Sequence, residues 1–400
     1  MARPDTGVRE RLVSQSVTRV VDALAAANAD ALVVVGDRFD ADLQYLARLG
    51  SFEARAAVVV TATEAVVCPP ADPCSEQFTA PTTRFHETSK AAGIDRGVRP
   101  IDADDGAPVG ERAAATITSL VGSNADVVVP RAVPHDAAVY LARAGHDVSS
   151  TAAVRDARVV KSPVEIDRLQ ATQSAAVTAM RAVFAILAAC DVADASRSLR
   201  WQGDSLSADR LRREANSALA RAGVDPAGNT AVRSPSTDDD ALRAGEPIVV
   251  SLAPRGPAGY HGTLTRTVVV DGDGGWERRA HLAVESALAA GIETVDPGDP
   301  VSLLREEVAA EIGAYGFDPT LTDRTTGTTH AGGYGVGLAR REQPAPDSSA
   351  SLRPGTVLAV EASVRDPDHG AIRLRDLVVV RDSVVERLSE CPTALASDRY

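Results

Sequence analysis

The chain is almost without lysine: Lys90 and Lys161 are the only two, and arginine carries nearly all of its positive charge. Basic residues number 42 against 55 acidic ones, a net charge of −13. That balance argues against a nucleic-acid partner, because neutralising phosphates takes a basic face. Cysteine is scarce as well. Cys68, Cys74, Cys190 and Cys391 form no CxxC pair, and Cys190 ends the apolar stretch FAILAAC. Reduced structural thiols are expected, rather than a metal or redox role. No apolar run approaches the ~20 residues of a membrane helix. The start, MARPDTGVRE, lacks the charged-then-apolar build of a signal peptide. The expectation is a cytoplasmic protein with neither membrane nor nucleic acid among its partners.

At 400 residues the chain exceeds one ordinary core, so two domains are expected. Residues 1–155 alternate helical and β-branched signals: ERLVSQSVTRVVDALAAANA reads as a helix, and DALVVVG, AAVVVTATEAVVCP and DVVVP as buried strands. This reads as a small α/β layer domain. Residues 156–400 read as an α+β domain. Its first helix opens at KSPVE, with Ser162 as N-cap, Pro163 at the first helical position and Glu165 completing a capping box, and runs to about Cys190. A second helix, SADRLRREANSALARAG, stops at Gly223. EPIVVSLAPRG and GTLTRTVVV read as strands, GWERRAHLAVESALAAG as a helix, and GDPVSLLREEVAAEIGAYG as a helix capped by Asp299. GTVLAVEASV and AIRLRDLVVV close the chain as a strand pair.

The stretch HAGGYGVGL (330–338) has glycines spaced like a phosphate cradle, but GxGxG here lacks the third required glycine, at Leu338, and no P-loop lysine follows. A family explains it better. VVKSPVEIDRLQAT, GYHGTLTRT, HAGGYGVGL, PGTVLAVEASV and AIRLRDLVVV resemble, in order, the opening helix, GYxxDxTRT, HxxGHGVGL, PGMVxxxEPG and GxRxEDxxxV of the creatinase, prolidase and aminopeptidase P superfamily. The resemblance implies a C-terminal pita-bread domain preceded by a smaller α/β creatinase-type N-terminal domain, and a homodimer.

Active members hold two divalent metals, Mn, Co or Zn, through two Asp, one His and two Glu, and the shared water attacks a peptide carbonyl. On this chain the two Asp fall at Ser251 and Thr263, the His at Tyr334 and the second Glu at Arg375; only Glu361 is retained. Asp376 is next to Arg375 and should face away, since successive strand residues point to opposite faces. His261 is two residues before Thr263, a full pleat repeat from the ligand position. The His before the first metal Asp has no counterpart in NTAVRSPSTDDDALRAG, and a further family His falls at Arg341, followed by Glu342. No metal cofactor is expected. Arg375 is instead expected to pair with Glu361, as a bidentate tie that compensates a buried carboxylate.

The pocket would then be lined by Tyr260, His261, Arg266, His330, Tyr334, Arg341, Glu361 and Arg375. It would suit a carboxylate-bearing small molecule or peptide. No catalytic residue is assigned, His330 being the nearest candidate. Three readings follow from the resemblance: an inactive pseudopeptidase that binds a small molecule, peptide or protein; a metal-independent creatinase-like hydrolase; and an active Xaa-Pro metallopeptidase with unusual ligands.

Overall fold

Valine-rich runs build the first of two units. In the computed structural model the described residues are 6–49, 54–69, 98–100, 106–193, 195–235, 241–317 and 330–396, with backbone only at 6–11, 98–100, 330 and 331. They divide into Met1–Arg158 and Val159–Tyr400. The first unit runs α1 (Thr6–Ala27), β1 (Ala31–Gly36), α2 (Ala41–Ala47), β2 (Ala56–Thr61), β3 (Ala65–Cys68), β4 (Val98–Pro100), α3 (Val109–Val121), β5 (Asp126–Pro130), α4 (His135–Arg143), β6 (Asp147–Thr151) and α5 (Ala153–Ala157). Its strands form one mixed sheet in the order β4-β3-β2-β1-β5-β6. ALVVVG and AAVVVT are buried at every position, as strands covered on both faces must be.

The second unit opens as its sequence indicates. Helix α6 (Pro163–Ala188) starts from a reciprocal cap: Ser162 Oγ accepts from the Glu165 N–H at 3.4 Å, and Glu165 Oε2 accepts from the Ser162 N–H at 2.8 Å. By length and composition α6 could cross a bilayer, which the reading by apolar runs missed. In the fold it is a core helix, with Leu169, Ala176, Met180, Val183 and Leu187 fully buried. Small strands β7 (Asp191–Val192), β8 (Leu199–Trp201) and β9 (Asp204–Ser205) follow, then α7 (Ala208–Arg221), which ends where Gly223 takes φ +83. The remainder is β10 (Ala231–Arg233), β11 (Ile248–Leu252), β12 (Leu264–Val268), α8 (Trp276–Glu293), α9 (Val301–Ala314), β13 (His330–Gly335), β14 (Val357–Asp366), β15 (Gly370–Val380) and β16 (Val385–Arg387).

Asp299 does not cap α9, contrary to expectation. Pro300 holds the cap position, and the Asp299 carboxylate accepts from the Asp296 N–H at 2.8 Å. No side-chain cap is needed there, because the carbonyls of Ala350 and Ser348 take the first free N–H groups, of Val301 and Ser302, each at 3.0 Å.

One antiparallel sheet organises this unit, in the order β10-β11-β12-β15-β14-β13 with β16 paired to β15. Period-two alternation sorts its residues. Ile248, Val250, Leu252, Leu264 and Val268 pack with α6 and α7 in one apolar cluster. Leu358, Val360, Ala362, Ile372, Leu374 and Val378 pack with α8 and α9 in another. The intervening residues, among them Ser251, Thr265, Thr267, Glu361, Ser363, Arg373 and Arg375, alternate with these and fall on the opposite face. The fold therefore gathers polar side chains from four strands on one face of a single sheet. Because α6 anchors the first cluster, Ser162→Ala should lower stability by about 1 kcal/mol. Urea unfolding should show a lower midpoint at unchanged slope.

Candidate functional site

Glu361 and Arg375 are direct cross-strand partners in the β14–β15 register, and their side chains meet. Arg375 Nε donates to Glu361 Oε2 at 2.6 Å, and Nη2 donates to the same oxygen. The expected ion pair is present, but it does not fork across both carboxylate oxygens. Oε1 is held by Arg373 Nη2, and Arg375 engages Oε2 alone. Arg375 Nη1 also donates to Thr263 Oγ1 at 3.3 Å. The side chains of Glu361 and Arg375 are each 9% exposed, and that of Arg373 is 31% exposed.

Burial pushes the Glu361 carboxyl up, but the adjacent Arg375 and Arg373 guanidiniums and their hydrogen bonds outweigh burial and hold it below the ordinary range. Burial, with help from Arg375, pulls Arg373 below the usual guanidinium value against the opposing pull of Glu361.

Around this cluster the positions to which the resemblance assigns metal ligands carry neutral groups. Ser251 Oγ is 3.0 Å from Thr265 Oγ1, its direct cross-strand partner. Tyr334, 8% exposed, lies with its ring 4.5 Å from the Arg341 guanidinium carbon and 5.8 Å from that of Arg375. Tyr334, Arg341, Glu361, Arg375 and Thr263 are thus brought together.

Other expected pocket residues lie elsewhere. Arg266 belongs to the opposite, helix-covered face. It is fully buried there, donating to Asp376 Oδ1 at 2.6 Å and to the carbonyls of Thr265, Arg375, Cys391 and Pro392. Arg387 Nε holds the second Asp376 oxygen at 2.9 Å. The alternation that turns Asp376 away turns Arg266 away too, since Thr265 is the residue opposite Arg375. Tyr260 is a structural residue: it is buried, and its hydroxyl donates to Glu165 Oε1 at 2.8 Å, bracing the α6 cap.

His261 sits among Ala253, Arg255, Arg340 and Glu342, not against Glu361. Burial lowers its pKa and so favours the neutral imidazole, and its Nδ1 is buried without a hydrogen-bond partner among the described residues. His330 starts β13 opposite Ser363; its side chain lies outside the described residues.

Three features escaped the reading of the sequence. Arg373 is the second cation on Glu361; its place two residues before Arg375 on one strand was the available signal. Lys161 Nζ pairs with Glu342 Oε1 at 2.7 Å, the side chains 1% and 2% exposed. HAGGYG is a strand, and its glycines admit a returning segment: a Cβ on Gly335 would stand 2.0 Å from the Gln343 carbonyl oxygen, and one on Gly337 2.0 Å from Glu342 Oε1. Cys68, Cys190 and Cys391 are free, and burial pushes the Cys190 thiol up to about 11. Cys74 lies outside the described residues. Among the described residues no group of three or more His, Cys, Asp or Glu is arranged to hold a metal ion.

A carboxyl held below its ordinary value of 4.5 contributes stability that is complete above that value and lost as pH falls through the folded-state value. Glu361→Gln leaves two arginines without their anion and should cost about 3–5 kcal/mol at pH 7. The difference in melting temperature between wild type and this variant should shrink as pH falls below 4.5. A difference that stays constant from pH 7 to pH 3 would contradict the assignment.

With this geometry in place, comparison with known proteins gives a consistent picture. Residues 167–382 match the profile of metallopeptidase family M24. The probable dipeptidase PepE of Mycobacterium bovis is 25% identical over 162 residues, 39% of this chain and 40% of that protein. The Xaa-Pro dipeptidase of Pyrococcus furiosus is 26% identical over 133 residues, 33% of this chain and 36% of that one. The chain thus spans about two fifths of the length of the curated relatives it matches. The crystal structure of dipeptidase PepE from Mycobacterium ulcerans superposes with a TM-score of 0.72 at 20% identity, covering 99% of this chain and all of that one. The chain belongs to metallopeptidase family M24 and has the pita-bread fold of the creatinase, prolidase and aminopeptidase P superfamily.

Proposed function

We propose that this M24 peptidase-like protein no longer hydrolyses peptides through a dimetal centre and acts instead by binding a small molecule, peptide or protein at the former active-site face. One observation carries the reading: Glu361, the retained ligand carboxylate, has both oxygens engaged by arginine. A pair of hard divalent cations needs several anionic or imidazole donors held close together. The donor set here is one neutralised carboxylate, the mutually bonded hydroxyls of Ser251 and Thr265, the Thr263 hydroxyl that accepts from Arg375, and a tyrosine. Those residues do not fit two divalent ions. A cation entering at Glu361 would have to displace Arg375 and meet its positive charge at short range.

The pita-bread scaffold carries no obligation to the chemistry, since a fold hosts whatever its site residues permit. The competing reading, an active Xaa-Pro metallopeptidase, draws its support from relatives named as dipeptidases. It requires ligands other than the family set.

The two are separated by measuring Mn, Co and Zn in the purified protein and assaying Xaa-Pro dipeptides and creatine with and without added metal. No stoichiometric metal and no turnover are expected. Metal-dependent turnover would overturn the proposal, and turnover without metal would establish the creatinase-like reading. Replacing Ser251→Asp, Thr263→Asp, Tyr334→His and Arg375→Glu together should create divalent-metal binding, measured by calorimetry, where the parent shows none.

A further inference from the structure

The cluster that neutralises Glu361 carries more cation than it needs. Arg373 and Arg375 hold the carboxylate, and Arg341 and Arg375 flank the ring of Tyr334. Among the described residues, three guanidiniums stand against one carboxylate here, an excess of two positive charges. That excess runs from the nearly buried Arg375 through the part-exposed Arg373 to the exposed Arg341, and the less exposed part of it is unfavourable unless solvent or an anion answers it.

The donors that remain are specific ones. Among the described residues Arg341 makes neither a hydrogen bond nor an ion pair; its contact is with the Tyr334 ring. Arg373 spends Nη2 on Glu361, and its Nε is buried with no hydrogen-bond partner. Tyr334 lies within electrostatic reach of Arg373. Arg341 is exposed, and the Arg373 side chain is 31% exposed although its Nε is buried, so Arg341 and part of Arg373 face solvent while Glu361 is buried. Guanidinium is planar, always charged and matched to the paired oxygens of phosphates and carboxylates. A carboxylate partner at the base fixes the two inner arginines, so little side-chain freedom is lost when a ligand arrives.

We propose that Arg341, Arg373 and Tyr334, set over the Arg375–Glu361 pair, form a binding site for a doubly charged oxyanion, presented by a small ligand as a phosphate monoester or a dicarboxylate. The replacement of a metal-binding His and Glu by Tyr334 and Arg375 then inverts the preference of the site, from cations to anions. This inference rests on the metal-free reading of the centre.

The test uses the full chain after dialysis against chelator, with its metal content measured on the same sample. Inorganic phosphate and succinate are titrated by calorimetry and thermal shift, with chloride at matched ionic strength as the control. The melting temperature should rise by about 5 °C at a hundredfold excess of the bound anion over its Kd, and not with chloride. Binding of phosphate alone identifies a phosphate monoester as the ligand class, and binding of succinate alone a dicarboxylate. Arg341→Ala should weaken binding about tenfold or more, with Arg341→Lys recovering part of it. Because Arg341 is exposed, the unliganded melting temperature of these variants should stay at the wild-type value. Metal-free protein that binds neither anion, or binding that Arg341→Ala leaves unchanged, would overturn this inference while leaving the metal-free reading standing. Stoichiometric metal surviving the chelator would overturn that reading itself.

Discussion

A carboxylate inside a sheet must have a counter-charge, and the organisation of the second unit's polar face follows from how Glu361 obtains one. Its position on β14 is covered, and an unpaired anion there would cost several kcal/mol. In dimetal members of the superfamily the resemblance assigns that compensation to metal ions. Here the strand opposite supplies it: Arg375 stands at the register partner of Glu361, and Arg373 stands one pleat repeat along. The compensating charge is therefore covalently part of the fold and does not depend on metal availability. The neighbouring positions change in keeping with this. Thr263 offers a hydroxyl that accepts from Arg375, and Tyr334 offers a π-face to Arg375 and Arg341.

Strand β15 carries two opposed ion systems on successive residues. Arg375 faces Glu361, while Asp376 faces Arg266 and Arg387 on the helix-covered side. The second system ties β12 and β15, which belong to different apolar clusters, and fixes the 391–392 segment through carbonyls that accept from Arg266. It also gives the arginine of the TRT stretch a structural role. The strand geometry that positions the first system is held from behind by the second.

The fold was legible because its signals are local or ordered. The Ser162–Glu165 cap, the Gly223 stop and the valine-rich strands are set by neighbouring residues, and the motif order fixed the superfamily. The Glu361–Arg375 pair was legible too, since motif register and the need to neutralise a buried carboxylate sufficed. What failed needed the other face or a distant segment. Arg266 was placed in the pocket although the alternation applied to Asp376 also turns it away. Tyr260 was misjudged because its partner, Glu165, is 95 residues away in sequence. Arg373 matches its motif position, so nothing in the motif comparison marks it as a second cation on Glu361; only its place one pleat repeat from Arg375 does. The cap of α9 escaped because it is made by carbonyls of residues 348 and 350, far along the chain.

The central claim is that Arg375 stands in for metal as the counter-charge of Glu361, and a double-mutant cycle measures it directly. Unfolding free energies of wild type, Glu361→Gln, Arg375→Met and the double variant give the coupling between the two side chains. The account predicts a coupling of about 2 kcal/mol or more, each single change being costly and the double change far less costly than their sum. A coupling below about 0.5 kcal/mol, within the scatter of independent sites, would contradict it.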